Sequence, residues 1–508
     1  MEWIKLLSTK TQVEREKEPK KWGDYPISDF EKDYKSIISS AAFRRLQDKT
    51  QVFPLDKSDF VRTRLTHSVE VSTIAKQLGI MVTQNTTGYL PEDFNQDHNE
   101  TTKIIPSVLS CAGLLHDLGN PPFGHFGEVV IGDWFKQKLQ WDGQKQFNQE
   151  NDNAELNTNK YSGNFIFKGV PIRNLFSEHE QMIKDLCNFE GNAQALRILS
   201  KVKLSPSGYD ANLTYSVMNA LIKYPTASTN VNNSKEADVK LHKLGYFSSE
   251  EVLFNDICIE TGTKLADGTF SRHPLTFLVE AADDIAYATA DLEDALKKGM
   301  FTIDQFINYF DTEINKLTDG NEKDKSIDLI NNLKERLNAQ VRNSEEDLAA
   351  FQKWTIFVKG WLMYVVAFSF SKNYRNIMNG TYSKDMFHDG FHKYSIKILK
   401  GAMSKFVFDS TEILKLELSA QKIISSLLND FIYAVMYWKA EDDEHKLTKS
   451  QKKFINIISE NYKNDYLHSC GDDEIRNLYL RFLMVTDFIS GMTDSYAKNL
   501  YQELNGID

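Results

Sequence analysis

Cysteine is scarce in this chain: four residues in 508, Cys111, Cys187, Cys258 and Cys470, lie far apart with no Cys-x-x-Cys pair. That spacing argues against a disulfide framework and against a thiolate zinc site, and leaves the cysteines as small core residues. Positive charge is also short. Sixty Lys and Arg stand against 71 Asp and Glu, a net charge of −11, which opposes general affinity for nucleic acid because such binding depends on cations displacing counterions. A polyanionic ligand must then be drawn by a local basic pocket. Long apolar runs are missing too: the best candidate, Gly360 to Ser371, is well short of the ~20 residues of a membrane span. The opening Met1-Glu2-Trp3-Ile4-Lys5 runs into Glu14-Arg15-Glu16-Lys17-Glu18 without the form of a cleavable signal. A cytoplasmic protein with no membrane partner is expected.

An apolar fraction of 41% over this length can bury a large core, in one sizeable body or two fused ones. Short alternating strands are few and no fixed-period repeat is visible. Apolar residues at helical spacing predict helices over 107–118, 175–203, 274–298, 326–342, 346–371, 411–438 and 475–503. Inserts at 82–104, 142–164 and 225–240, rich in Asn, Thr, Asp and Lys, predict surface loops. Thr263 to Arg272, with Asp267-Gly268 between short apolar pieces, predicts a small hairpin. The expected fold class is all-α with that minor hairpin. A shift near residue 300, where Lys297-Lys298-Gly299 ends a helix, divides an N-terminal arm (1–33) and a core (34–300) from a helical C-terminal subdomain (301–508). The row Trp354, Phe357, Trp361, Tyr364 and Phe368 in that last part reads as core packing, with a subunit interface as the alternative.

The most telling string is Gly113-Leu114-Leu115-His116-Asp117-Leu118-Gly119-Asn120-Pro121-Pro122. An imidazole beside a carboxylate, where an apolar helix is stopped by a Gly-Asn-Pro-Pro turn, can present two ligand atoms to one metal ion. Upstream, Arg62-Thr63-Arg64-Leu65-Thr66-His67 supplies a second imidazole beside two arginines. Downstream, Glu280-Ala281-Ala282-Asp283-Asp284 sets carboxylates in an apolar helix, where unpaired charge is costly. Two imidazoles and two carboxylates are borderline between hard and soft, and suit Mn, Mg, Fe, Co, Ni or Zn with water completing the shell. On that same helix Asp283, Tyr287 and Asp291 fall at i, i+4 and i+8 and share a face. In Pro122-Phe123-Gly124-His125-Phe126-Gly127-Glu128, the spacing of three lets Glu128 orient His125, either as an acid and its orienter or as a structural pair. His179, with polar flanks, reads as a surface histidine.

The order of these pieces resembles the HD-domain phosphohydrolases. More narrowly, Ser40 to Phe53, Arg64…His67, His116…Glu128, Phe189-Glu190-Gly191-Asn192-Ala193-Gln194, Asp283…Asp291 and the late Ile489-Ser490-Gly491-Met492-Thr493-Asp494 resemble the dGTP triphosphohydrolase family. The resemblance is collinear from about residue 34 to 300. It implies an HD-type catalytic core that hydrolyses deoxynucleoside triphosphates, dGTP first, to deoxynucleoside and tripolyphosphate. Its metal would be divalent, Mn²⁺ or Mg²⁺ first, with His67, His116, Asp117 and Asp283 as ligands. His125, oriented by Glu128, would protonate the departing 5′-oxygen after a metal-activated water attacks the α-phosphorus. By the same resemblance Tyr287 packs beneath the deoxyribose, Asp291 accepts from the 3′-hydroxyl, Asn192 and Tyr224 contact phosphate or sugar, and Gln51 and Val52 line sugar and base. A triphosphate needs several positive groups; the candidates are Arg64, then Arg45, Lys223 and Lys243, each alone equally a solvated surface charge. Arg481 is a further candidate, for a purine edge. Members of the family form hexamers or tetramers, and some respond to dNTPs or single-stranded DNA at a second site. Two other readings compete: an HD phosphohydrolase of another nucleotide, and a scaffold that senses dNTPs without hydrolysing them.

Overall fold

The computed structural model describes residues 1–15, 28–55, 58–90, 94, 101–141, 165–201, 212–234, 236–339, 342–388, 393–440 and 445–507. The fold is all-α: among the described residues helices supply nearly all the regular structure, beside one two-stranded ladder. Ten helices matter for the site: α1 (Arg64–Thr83), α2 (Thr101–Leu115), α3 (Gly124–Leu139), α4 (Gly191–Leu199), α5 (Pro274–Ala286), α6 (Ser344–Met378), α7 (Lys393–Met403), α8 (Thr411–Val435), α9 (Glu474–Ser490) and α10 (Asp494–Asn505). Their starts are written locally. Thr63 and Thr66 close a capping box on α1, each side chain accepting from the other's backbone N–H. His273 caps α5 just before a proline at its first position, where the missing N–H costs nothing.

Two expected long helices are broken. Segment 175–203 divides into Ile172–Leu175, Glu180–Cys187 and α4, because Asn188 leaves the helical region and Glu190 is extended. Segment 475–503 divides into α9 and α10, with extended Thr493 capping the second through Tyr496 N–H. A two-stranded ladder forms where none was expected: Ile166–Phe167 pairs with Val170–Pro171 across Lys168 and Gly169, whose φ angles of 50° and 77° suit a tight hairpin turn. Thr263 to Arg272 makes the small hairpin expected there, with one antiparallel bridge, Lys264 to Phe270, and with Leu265 N–H donating to the Thr269 carbonyl at 2.8 Å and Ser271 N–H to the Thr263 carbonyl at 2.9 Å. The insert 142–164 lies outside the described residues and 82–104 is described in part. Within 225–240 the chain is irregular but not wholly on the surface, since Ala227 and Ser228 are buried.

Two buried apolar clusters hold the helices together, one running from Trp3 to Ile413 and one from Phe123 to Leu500, and each draws on both sides of residue 300. α6 is longer than the apolar run Gly360 to Ser371 within it. By length and composition it could cross a membrane, yet 56% of its most apolar 18-residue window is buried inside the protein. The aromatic row on it splits: Trp354 is fully buried, Trp361 and Phe368 half-buried, and Phe357 and Tyr364 exposed. All four cysteines are free.

The contact that sets the site is between α1 and α2. Ser72 Oγ lies 2.8 Å from the Ser110 carbonyl oxygen, and a Cβ on Gly113 would fall 2.6 Å from Ser72 Cα. The two backbones approach this closely only because residue 113 has no side chain. Gly113→Ala is therefore expected to destabilise the protein by about 1–3 kcal/mol despite alanine's higher helix propensity. A urea unfolding curve with an unchanged or raised midpoint would contradict the tight-contact account.

Candidate active site

α1 and α2 bring His67, His116 and Asp117 together, with their ligand-type atoms all within 4.8 Å of one another. α5 adds Asp283, whose Oδ1 lies 3.2 Å from His67 Nε2 and 3.5 Å from His116 Nε2. The His116 tautomer is set from behind: Nδ1–H donates to the Gly113 carbonyl at 2.8 Å, which turns Nε2 toward the carboxylates. That Nε2 is buried and has no hydrogen-bond partner among the described residues. An orphaned imidazole nitrogen among two carboxylates and a second imidazole is the donor set a divalent cation takes. Burial alone would lower the His116 pKa, but Asp117 and Asp283 push it up to about 9. Burial opposes charge on Asp117 as well, and Arg64 with the two imidazoles outweighs it, holding the carboxyl well below its usual range.

The arginines beside His67 diverge. Arg64 Nη1 donates to Asp117 Oδ2 at 2.6 Å, whereas Arg62 turns to Asp294, Glu293 and Glu70 and braces α1 against the helix after α5. Asn120 donates to the other oxygen of Asp117. Behind the loop, α4 comes so close that a Cβ on Gly119 would lie 1.9 Å from the Gly191 carbonyl oxygen.

His125 stands at the start of α3 with its side chain 73% exposed, and Nδ1–H donates to buried Glu128 at 2.9 Å. The Glu128 carboxylate raises the His125 pKa. Burial works against the Glu128 charge, but His125, Lys243 and the Gly191 N–H prevail and lower its pKa. Such an imidazole can hold a proton on Nε2 and release it into the cavity.

That cavity has a volume of about 580 Å³. Gln51, Val52, Arg64, His116, Asp117, His125, Asn192, Lys223, Tyr224, Lys243, Asp283, Tyr287 and Asp291 all line it, while His67 and Glu128 stand behind the wall. The chain between α5 and Leu292–Lys297 is a π-helical turn, Tyr287–Asp291, so the expected row is carried by a widened helix rather than a regular one. Tyr287 lies parallel to Phe408, with ring centroids 6.4 Å apart. Asp291 is 1% exposed, neither of its oxygens has a hydrogen-bond partner among the described residues, and burial pushes its carboxyl up to about 7.

Two predicted residues are not brought in, and neither Arg45 nor Arg481 lines the cavity. Arg45 is exposed and reaches Tyr462. Arg481 is fully buried on α9 and spends its donors on Glu474 at 2.7 Å and the Tyr466 hydroxyl at 3.0 Å. His179 is outside the metal-type cluster.

Several lining residues escaped the sequence reading. Lys400 on α7, Phe408 just after it, and Glu417 on α8 close the far wall. Lys400 donates to Asp284 at 2.6 Å, which marks Asp284 as an ion-pair partner and leaves Asp283 to the imidazoles. Glu190 holds both Asn192 (2.6 Å) and Lys243 (3.0 Å). An acidic residue inside Phe189-Glu190-Gly191-Asn192 was the signal available for it.

Residues 64–184 match the model of the HD domain, and they contain His67, His116, Asp117, His125 and Glu128. The chain is thus an HD-domain protein, with Asp283 supplied from beyond the matched region. Along its full length it is 42% identical over 512 residues to the deoxyguanosinetriphosphate triphosphohydrolase-like protein of Listeria monocytogenes, covering 100% of both chains. It is 31% identical over 503 residues to the deoxyguanosinetriphosphate triphosphohydrolase of Serratia proteamaculans, covering 94% of each. The enzyme of the same name from Yersinia pestis is 32% identical over 504 residues, covering 94% of this chain and 93% of its own. The chain belongs to the deoxyguanosinetriphosphate triphosphohydrolase family, and it is an enzyme.

The geometry separates the two neighbouring aspartates on α5. Asp283→Ala is expected to weaken Mn²⁺ binding by more than the ~10–100-fold typical of losing an outer-sphere partner, and Asp284→Ala by no more than about threefold. Equal losses in a calorimetric titration would show the division of roles to be wrong.

Proposed function

We propose that the protein hydrolyses deoxynucleoside triphosphates, dGTP favoured, to deoxynucleoside and inorganic tripolyphosphate. The observation that carries this is the convergence on one cavity of a His/Asp cluster, the His125–Glu128 pair, four cationic side chains and the Tyr287–Asp291 row. The relatives' names point the same way.

His67, His116, Asp117 and Asp283 would hold a divalent cation, Mn²⁺ or Mg²⁺ first. When bound, it supplies Lewis-acid polarisation of the phosphate and a lowered pKa for attacking water. Arg64, Lys223 and Lys243, with Asn192 and Tyr224, grip the phosphates. Attack of water forms a new P–O bond at the α-phosphorus and breaks the bond to O5′. The electron pair stays on O5′, which takes its proton from His125; the proton lost by water passes to solvent. Glu128 keeps the imidazole aimed and charged until that moment. Tyr287 stacks under the sugar where a 2′-hydroxyl would clash. Asp291, buried without a donor, accepts from the 3′-hydroxyl, and Gln51 and Val52 border sugar and base.

Incubation of the purified protein with each dNTP and GTP in Mn²⁺ or Mg²⁺, resolved by ion exchange, should yield deoxynucleoside and tripolyphosphate, abolished in Asp117→Ala. Release of orthophosphate, or turnover of monophosphates instead, would overturn the assignment and favour another HD phosphohydrolase.

The pH dependence follows from the sign of the His125 shift. Because Glu128 raises the His125 pKa, the acid form persists to higher pH than in a free imidazole, and kcat should fall only as pH passes that raised value. Removing the carboxylate charge in Glu128→Gln should move this alkaline limb to lower pH, and His125→Ala should cost about 10²–10⁴-fold in kcat. A limb that stays in place in Glu128→Gln would remove His125 as the acid.

A further inference from the structure

Lys49 and Asp494, used in no step above, reach the site from behind. Lys49 is 3% exposed, and its ammonium donates to the carbonyl oxygens of Asn120 and Ser490, both at 2.6 Å. Its own carbonyl accepts from Arg64 N–H at 2.9 Å. Burial pulls the ammonium down to about 7 against the attraction of Asp494. An apolar side chain would fill this space at lower cost, so the charge is explained by the carbonyls it holds in place. Asp494 is 2% exposed and accepts from Thr50 N–H at 3.0 Å and Phe123 N–H at 2.9 Å.

Two of the residues so gripped, Asn120 and Phe123, lie in the loop between α2 and α3. Asn120 donates its side-chain amide to Asp117. Phe123 has φ 63° and is followed by Gly124 at φ 64°; a left-handed phenylalanine persists only where its surroundings over-determine it. His125 and Glu128 come directly after, on α3.

We propose that Lys49 and Asp494 are positioning residues, a clamp closed by the segment from Ser490 to Asp494 that sets Asp117 at one end of the loop and His125 at the other. The clamp's catalytic role rests on the function proposed above; its effect on cation binding does not.

Mn²⁺ affinity of the full-length protein, measured by calorimetry, tests the Asp117 end. Lys49→Met should raise Kd about tenfold or more, as loss of an outer partner does. Added to Asn120→Ala it should do little more, because both act through Asp117. A Kd within about twofold of wild type in folded Lys49→Met protein, or losses that multiply independently in the double variant, would overturn the clamp. Asp494→Asn, which preserves shape, tests the His125 end and decides alone if Lys49→Met does not fold. It should lower kcat for dGTP about tenfold or more with KM and Mn²⁺ Kd unchanged, as misplacement of a reacting group does. An unchanged kcat, or a fall matched by equal loss of Mn²⁺ affinity, would overturn it. Wild-type protein that binds Mn²⁺ but releases no tripolyphosphate defeats the proposed function, and the Mn²⁺ comparison still judges the clamp.

Discussion

The buried ion pair between Arg64 and Asp117 is the constraint on which the site depends. Arg64 opens α1 and Asp117 follows α2, and 2.6 Å separates the guanidinium from the carboxylate. Charges taken out of water cost several kcal/mol each unless well paired and hydrogen-bonded. Here Asn120 takes the second Asp117 oxygen, so both lone-pair faces are directed. With the carboxylate so fixed, the position of His116 follows from its neighbour in sequence, and that of His67 from the turn of α1 that begins at Arg64. The Ser72–Gly113 approach then keeps the two helices at the separation the imidazoles need.

The same economy governs the His125 end of the loop. Glu128 accepts from His125 and also from the backbone of Gly191, so α4 and α3 are joined through a single carboxylate. Glu190, one residue earlier, holds Asn192 and Lys243. Two neighbouring buried carboxylates thus divide the work: one faces the imidazole, the other faces Asn192 and Lys243 on the cavity wall. Burial raises the pKa of Glu190 and repulsion from Glu128 adds to it, against the opposing pull of Lys243 and Asn192.

Much of this was legible in the sequence because its parts are local. His116-Asp117, His125…Glu128 and Asp283…Tyr287…Asp291 each lie within two or three helical turns, where spacing dictates facing. Asp283 was separable from Asp284 by resemblance alone, and its contacts with His67 and His116 follow that division. The π-helical turn at Tyr287–Asp291 was not legible, since one extra residue in a turn leaves the apolar pattern almost unchanged. Nor were Lys400, Phe408 and Glu417, which come from helices with ordinary amphipathic composition and arrive by tertiary packing. Arg481 shows the converse: a cation in a family-like region is internal, neutralised by Glu474 from its own helix seven residues away. The hairpin at 263–272 was legible because its turn is local: Asp267-Gly268 turns the chain, and backbone bonds close across it from Leu265 to Thr269 and from Ser271 to Thr263.

An acidic protein can still take up a polyanion if its cations change partners. Arg64, Lys223, Lys243 and Lys400 line the cavity, and each is paired with a carboxylate: Asp117, Asp283, Glu190 and Asp284 respectively. With Glu280, Asp291 and Glu417 also in the wall, the cavity has no excess of Lys and Arg over Asp and Glu and gives no strong field to draw in nucleic acid or other polyanions indiscriminately. In the reaction proposed above, a divalent cation held by Asp117 and Asp283 would compete with Arg64 and Lys223 for the same carboxylates. Those two cationic side chains would then be free to turn to phosphate oxygens, so the paired charges would couple cation binding to phosphate binding.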